Sequence, residues 1–370
     1  MNKQLTIAII GAGSFADFAA KAFLKIEGIK IIAVSDVNEK AGKQLAKKLN
    51  AKFYSKYQKL LQDNSVNLVY IATPPFLHFE ISKAALASGK HVICEKPAAL
   101  KTSDAEELRK LAKEYKLLYV VNLMQRYNPL FTSVRIMIDK KILGNFLHGF
   151  FENYASDENL NAEHWFWNWE KSGGIFIEHG VHFFDMFAGW LGNGKIINAV
   201  EIKRKNVATT MYDRVQATVL YEDGLVNFYH GFDQPKILDR QEMRLQFERG
   251  EITLYEWIPV KMKIHGLFKK VELEQLSELI GPFSMTNNDS GKDGRKVIGR
   301  SAEVFFDNHV TMECGNNADK QNRYRQMLTD MLNDQWSWIK DRDHIRVIDD
   351  NNAVESLRMA ENAKEMAQQF

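Results

Sequence analysis

The stretch L-T-I-A-I-I-G-A-G-S-F-A, Leu5 to Ala16, decides the architecture of this chain. Leu5–Ile10 is an apolar run of strand length, and it breaks into Gly11-Ala12-Gly13-Ser14-Phe15-Ala16 just before a helical pattern. Strand, glycine turn and helix in that order make the G-x-G-x-x-G/A fingerprint of a dinucleotide-binding βαβ unit. Gly11 permits the tight turn, Gly13 lets the backbone approach a pyrophosphate, and Ala16 keeps the helix close to the sheet. Phosphates then rest on N–H groups at the helix N-terminus, where Ser14 and Phe15 stand. The next strand ends at Ser35-Asp36, where a carboxylate meets the adenosine ribose. Asp36 would accept hydrogen bonds from the ribose hydroxyls and repel a 2′-phosphate, so NAD is expected over NADP. The alternative is a plain helix-capping Asp.

Outward from that unit, the first third alternates β-rich runs with helical patterns. The runs are Leu5–Ile10, Ile29–Val34, Leu68–Ala72, His91–Cys94 and Leu117–Val121; the helices lie near Ala16–Ile26, Lys40–Leu49, Leu77–Ser88 and Ser103–Tyr115. Near-continuous apolar strands separated by helices predict a parallel sheet covered on both faces. Ser103 with Glu106 reads as a capping box. Two strand ends point to the same crevice as the glycine turn: Thr73-Pro74-Pro75-Phe76-Leu77-His78, and Cys94-Glu95-Lys96-Pro97.

After Asn122 the pattern changes to longer alternating strands, at Asn145–Tyr154, Ile196–Lys205, Val215–Tyr221, Leu225–Gly231, Met243–Glu248 and Glu251–Trp257. Turn signals at Glu222-Asp223-Gly224 and Arg249-Gly250 join several into hairpins. The expectation is α/β overall: a nucleotide-binding domain over 1–123, then an α+β domain over 124–370 with an open, mostly antiparallel sheet. Met285–Arg300 reads as a long mobile loop, and helices close the chain at Asp319–Lys340 and Asn351–Gln369.

Inside the second region, Ser172–Asp185 reads S-G-G-I-F-I-E-H-G-V-H-F-F-D. As a regular helix it places His182 at roughly 40° and Asp185 at roughly 340° from Glu178, with Phe176, Phe183, Phe184 and Phe187 opposite. His179 falls about 100° off that face. A carboxylate beside a histidine can orient it and stabilise its cation, which suits proton transfer. A core helix with satisfied polar groups at its rim fits the same residues; Asp185 is a candidate support for the catalytic group, with rim solvation as the simpler reading. Trp165, Trp167 and Trp169 just upstream could line a sugar pocket or simply be buried.

Composition narrows the classes. The chain has 370 residues, 45% hydrophobic and 26% charged, with a net charge of +2 and no basic stripe, so nucleic acid is not an expected partner. Cys94 and Cys314 are the only cysteines and have no metal-ligand spacing; neither a metal site nor a disulfide framework is expected, and Cys94 reads as core. No run approaches the ~18 apolar residues of a membrane span. A cytoplasmic location is expected.

Taken in order, the glycine turn, Asp36, Thr73-Pro74-Pro75 with His78, Glu95-Lys96-Pro97, Arg126-Tyr127-Asn128-Pro129 and the Gly173–Asp185 helix resemble the glucose–fructose oxidoreductase, inositol dehydrogenase and rhizopine catabolism (Gfo/Idh/MocA) family. The resemblance implies a Rossmann domain, a sheet domain used to form a homodimer or homotetramer, and a nicotinamide lying between Lys96 and the His182 helix. It implies Lys96, His182 and Glu178 as the catalytic group, with Glu178 standing where the family usually has Asp. Gly11, Gly13, Ser14, Phe15, Ala16, Asp36, Thr73, Pro74, His78, Glu95, Lys96 and Arg126 form the expected cofactor set. It also suggests a cis bond between Lys96 and Pro97. Ser172 departs from the first of three usual glycines. The implied activity is NAD-dependent hydride transfer at a carbinol carbon of a sugar or polyol. A dinucleotide-sensing regulator without turnover, or a reductase of an imine or conjugated double bond, would fit the same fold.

Overall fold

The computed structural model describes residues 4–157, 160–205, 211–222, 224–289, 293–300, 302–315 and 319–368. Asp223 of the expected turn, residues 290–292 of the expected loop and Gln369 of the expected last helix lie outside the described residues. The chain forms two compact units. One comprises Met1–Tyr127, Ala162–Asp185 and Tyr324–Lys364; the other comprises Asn128–Asn161, Met186–Arg323 and Glu365–Phe370. Two later segments of the chain return to the first unit.

The first unit is built on β1 (Leu5–Ile10), β2 (Ile29–Ser35), β3 (Lys52–Tyr54), β4 (Leu68–Ile71), β5 (His91–Cys94) and β6 (Tyr119–Val121). Their order is β3-β2-β1-β4-β5-β6, and every pairing is parallel. Leu68–Ile71 and Val92–Cys94 are buried throughout, as strands covered on both faces must be. The winding reverses between β1 and β4, so the carboxyl ends of β1, β4 and β5 border the crevice where such sheets hold ligands. Sequence periodicity misses β3, because three residues, one exposed and two half-buried, are too few to show a period.

The expected capping box of the Thr102–Tyr115 helix does not form. Its N-cap position is Lys101, without a side-chain cap, and the Thr102 N–H instead donates to Glu361 Oε2 at 2.9 Å. A distant carboxylate satisfies the helix end that Ser103 was expected to serve.

The second unit carries β7 (Phe146–Tyr154), β8 (Lys195–Lys203), β9 (Tyr212–Leu220), β10 (Leu225–Gly231), β11 (Arg240–Phe247), β12 (Gly250–Tyr255), β13 (Lys261–Phe268), β14 (Phe283–Asn287), β15 (Arg295–Gly299), β16 (Ala302–Phe306) and β17 (Asn308–Gly315). Nine of them make one sheet, β14-β17-β13-β12-β11-β7-β10-β9-β8. It is antiparallel except where β7 and β10 pair in parallel. Alternate residues are buried along it, including Phe151, Ala217, Val219, Phe228, Met243, Leu245, Ile252, Leu254, Met262, Ile264, Val310 and Met312. The intervening positions His148, Phe150, Gln216, Asn227 and Tyr229 remain partly or fully open, giving the two-faced sheet that the alternation predicts.

The expected loop at Met285–Arg300 is a correction. Its flanks are strands: β14 pairs with β17, and β15 pairs with β16 in a separate hairpin. Most of these positions are exposed on both faces, so the ladder forms without the apolar alternation that would betray it in sequence. Lys296 and Glu303 bridge the hairpin at 2.5 Å.

Phe228 is fully buried on this sheet and meets the ring of Phe187 edge-on at 4.9 Å. Phe228→Ala should destabilise the second unit by about 3–5 kcal/mol, read as a lower urea midpoint for its unfolding. An unchanged midpoint would show that this face carries no core.

Candidate active site

Every residue of the site lies in the first unit. The turn after β1 places Gly11 at φ +100°, and a Cβ there would lie 2.3 Å from the Ala72 carbonyl oxygen, so no side chain is admissible. Gly13 has the opposite character: no atom comes within 4 Å of its would-be Cβ, which leaves open space over the start of the Ser14–Phe23 helix. Ala16 is fully buried on the sheet, as the fingerprint requires.

Asp36 closes this turn from β2. Its Oδ2 accepts from the Ala12 N–H and its Oδ1 from the Asn38 N–H, both at 2.6 Å. The helix Glu39–Leu49 is capped by Asn38, whose side chain accepts from the Ala41 N–H at 3.2 Å. Asp36 is therefore not the cap, and its carboxylate is fixed beside the glycine turn.

The end of β4 supplies Thr73 and Pro74. The Thr73 Oγ1 is buried without a hydrogen-bond partner among the described residues. His78, expected among the cofactor ligands, is fully buried, with Nδ1 2.7 Å from the Pro97 carbonyl and Nε2 2.8 Å from the Thr73 carbonyl. It ties the β4 turn to the β5 turn instead of presenting a ring nitrogen to a ligand. Burial holds its pKa below the usual histidine value against those two carbonyls. Glu95 is fixed by the Tyr70 hydroxyl and by the Asn122 amide at 2.8 Å, and burial raises its pKa. Sequence reasoning missed Tyr70 and Asn122, since a Tyr inside an apolar strand looks like core. It also missed Tyr324, whose ring lies 5.8 Å from Phe15 and 5.0 Å from Phe18.

Lys96 follows Glu95, and the Lys96–Pro97 bond is cis, as the resemblance suggested. The ammonium donates to Glu178 Oε1 at 2.5 Å and to the Glu178 carbonyl at 2.8 Å. An ammonium has three donors, so one is left for a ligand oxygen. The structure thus gives Glu178 to Lys96, where the sequence reading had it orient His182 or bind a substrate hydroxyl.

The segment bearing Glu178 and His182 is not one regular helix. Phe176–Gly180 is a π turn that continues as the α-helix Val181–Leu191. The i→i+5 geometry widens the turn at Glu178, so the angular map at 100° per residue fails across it. Its entry is fixed by Ser172, which is fully buried: its Oγ donates to the Asn168 carbonyl and accepts from the Gly174 N–H, both at 3.0 Å. Glu178 and His182 are each 8% exposed. Burial, with the Lys96 charge second, pushes the His182 pKa well below 6.5, so its imidazole is neutral at neutral pH.

Asp185 is a further correction: it is 2% exposed, not solvated at a helix rim. Arg126 grips it with a fork, Nε to Oδ2 at 2.8 Å and Nη2 to Oδ1 at 2.9 Å, and Nη2 also reaches the Asp185 carbonyl at 3.0 Å. Arg126 was expected at the cofactor; its guanidinium instead anchors the His182 helix. Trp165–Trp167 form a single 3₁₀ turn, with Trp167 buried. Trp169 stacks under Lys364 at 5.6 Å.

Comparison with known proteins places the chain in a family. Residues 5–123 match the model of an oxidoreductase family with an NAD-binding Rossmann fold, and 131–253 match the GFO/IDH/MocA C-terminal domain. The chain belongs to this family of oxidoreductases. Oxidoreductase P35 of Formosa agariphila is 27% identical over 76% of this chain and 89% of its own length. The NAD-dependent scyllo-inositol 2-dehydrogenase of Bacillus subtilis is 25% identical over 54% of this chain and 59% of its own. A levoglucosan dehydrogenase solved with NADH and levoglucosan superposes with a TM-score of 0.78, over 99% of this chain and 98% of its own, at 15% identity. The last is a likeness of fold. No helix among the described residues is long and apolar enough to cross a membrane.

Breaking a buried ion pair strands a charge. Arg126→Met should destabilise the first unit by about 3–5 kcal/mol, and Arg126→Met with Asp185→Leu should recover most of that loss. Thermal unfolding of the two variants checks this, and a double variant no better than the single one would contradict it.

Proposed function

We propose that this protein is an NAD-dependent dehydrogenase that oxidises a carbinol carbon of a sugar or polyol to a carbonyl, and reduces the carbonyl in reverse. The observation that carries the reading is the pairing of a neutral, buried His182 with a Lys96 ammonium held on Glu178. The dinucleotide suits the residues present: Gly11 forms a turn that only glycine fits, Gly13 leaves open space over the helix start, and the Thr73 hydroxyl is buried without a hydrogen-bond partner among the described residues. Gly13, Ser14 and Phe15 would hold the pyrophosphate and Asp36 the ribose hydroxyls. NAD supplies the two-electron acceptor when bound.

The chain's own residues supply the rest. Neutral His182 takes the proton of the reacting hydroxyl, a general-base task. The free N–H of Lys96 donates to the same oxygen and stabilises its developing negative charge. Glu178 is a positioning residue that aims the ammonium and offsets its charge. The carboxylate of Asp36 disfavours a 2′-phosphate, which supports NAD over NADP. Relatives named for scyllo-inositol and levoglucosan support a polyhydroxylated substrate. The 1–123 segment is then the cofactor domain, and 124–370 serves substrate binding and assembly. The open face of the nine-stranded sheet suits a homodimer or homotetramer, and the two unpaired thiols, Cys94 and Cys314, suit the cytoplasm.

A screen of sugars and polyols with NAD+, followed by NADH absorbance, tests the reading. His182→Asn and Lys96→Met should each lower turnover about 10²–10⁴-fold, while His182→Asn keeps its NADH affinity. Near-wild-type rates in both variants would end the catalytic assignment. A chain that turns over nothing but changes its protein associations on binding NADH would be a sensor instead.

The pH dependence follows from the sign of the His182 shift. A lowered pKa keeps the base form populated on the acid side, so oxidation should hold its rate below pH 6.5 and fall only at lower pH. That limb should vanish in His182→Asn. For Asp36→Ala, NAD affinity should fall while NADP binding gains relative to it, measured by titrating both reduced cofactors.

A further inference from the structure

A cavity of about 440 Å³ opens in the first unit, lined by Lys113, Tyr119, Trp338, Arg342, Arg346 and Asp350 among others. Its volume lies in the range that holds small-molecule ligands, ~300–1,000 Å³. Tyr119 begins β6, and the strands of this sheet are parallel. The cavity therefore sits at the amino-terminal edge of the sheet, whereas Gly11, Thr73 and Lys96 follow the carboxyl ends of β1, β4 and β5. It is separate from the dinucleotide crevice.

Three features of its walls call for a ligand. Arg342 and Arg346 share one indole, their guanidinium carbons 3.9 and 4.5 Å from the Trp338 ring centroid. Two like charges are thus concentrated, and burial together with Arg346 lowers the Arg342 pKa. With Lys113 and Lys116 the lining holds four cations against one acid, Asp350. That acid is already engaged: Arg346 Nη2 lies 3.4 Å from its Oδ1, and Lys113 Nζ lies 3.5 Å from its Oδ2. Finally, Tyr119 is 1% exposed, and its hydroxyl has no hydrogen-bond partner among the described residues. Burial, with Asp350 nearby, keeps that phenol protonated and able to donate. A buried hydroxyl left without a partner is unfavourable, and Tyr119 belongs to the wall of this cavity.

We propose that this cavity is a second binding site, for a small organic anion with a flat apolar body. Arg342, Arg346 and the Tyr119 hydroxyl hold its carboxylate or phosphate. The carbon of Trp338, Leu117 and Ala112 covers the body. Arg346 already donates to Gln335 Oε1 at 3.3 Å and to Asp350 Oδ1 at 3.4 Å, and Arg342 Nη2 to the Lys116 carbonyl at 3.3 Å; the remaining N–H groups of Arg342 and the phenol therefore meet the anionic head, and Arg346 adds its charge.

Calorimetric titration of the full-length protein with benzoate, phenyl phosphate, inorganic phosphate and neutral benzamide tests this, with and without saturating NADH. Benzoate or phenyl phosphate should bind at one site, at least about tenfold more tightly than benzamide, and phenyl phosphate more tightly than inorganic phosphate. Preference between the first two identifies the head as carboxylate or phosphate. Arg342→Met should weaken binding about tenfold or more, and Tyr119→Phe by several-fold, with NADH affinity unchanged in both. Saturating NADH should leave anion binding intact. The proposal is overturned if neither aromatic anion binds, if inorganic phosphate binds as well as phenyl phosphate, if Arg342→Met binds like wild type, or if NADH displaces the anion.

Discussion

A carboxylate that is 2% exposed must have a partner, and the pairing of Asp185 with Arg126 is the constraint on which the candidate site rests. Burial raises the Asp185 pKa, and the guanidinium and the Asn352 side chain oppose that rise without cancelling it. The fork geometry fixes direction as well as distance, because both guanidinium nitrogens must meet both carboxylate oxygens. Arg126 lies just beyond the parallel sheet, and Asp185 lies one turn after His182. The pair therefore sets where the His182 helix stands relative to the end of β5, which carries Lys96.

The same logic runs through the rest of the site. Several charged groups of the candidate site are each held by a second group. Glu178 holds Lys96, Tyr70 and Asn122 hold Glu95, and the backbone of Ala12 and Asn38 holds Asp36. His78 links the turns after β4 and β5 through two carbonyls. Such supports reduce the reorganisation a reaction would otherwise require, which is where preorganised electrostatics gains its advantage. The π turn belongs to this scheme, because it brings both the carbonyl and the carboxylate of Glu178 onto one ammonium.

Much of this was legible in the sequence, because the responsible signals are local. The glycine turn was readable because a strand, a positive-φ glycine and a helix start lie within a dozen residues, and no other residue fits the Gly11 backbone. The parallel sheet was readable from apolar runs too continuous for a half-exposed strand. Strands β7 to β12 showed their period of two. Strands β13 and β17 carry the same alternation at Met262, Ile264, Val310 and Met312, and could have been read from it.

The tertiary structure alone decided the rest, for two physical reasons. A strand exposed on both faces, such as β15, is specified by its backbone ladder and leaves no hydrophobic period behind. The partner of a charge, in turn, is set by distances between residues far apart in the chain. Arg126 and Asp185, Lys96 and Glu178, and Thr102 and Glu361 are joined across such separations. The sequence by itself determined the fold and its family signature, because glycine turns and apolar periods are local. Folding determined which residues face one another, because hydrogen bonds and ion pairs depend on position in space and residue order does not encode that directly.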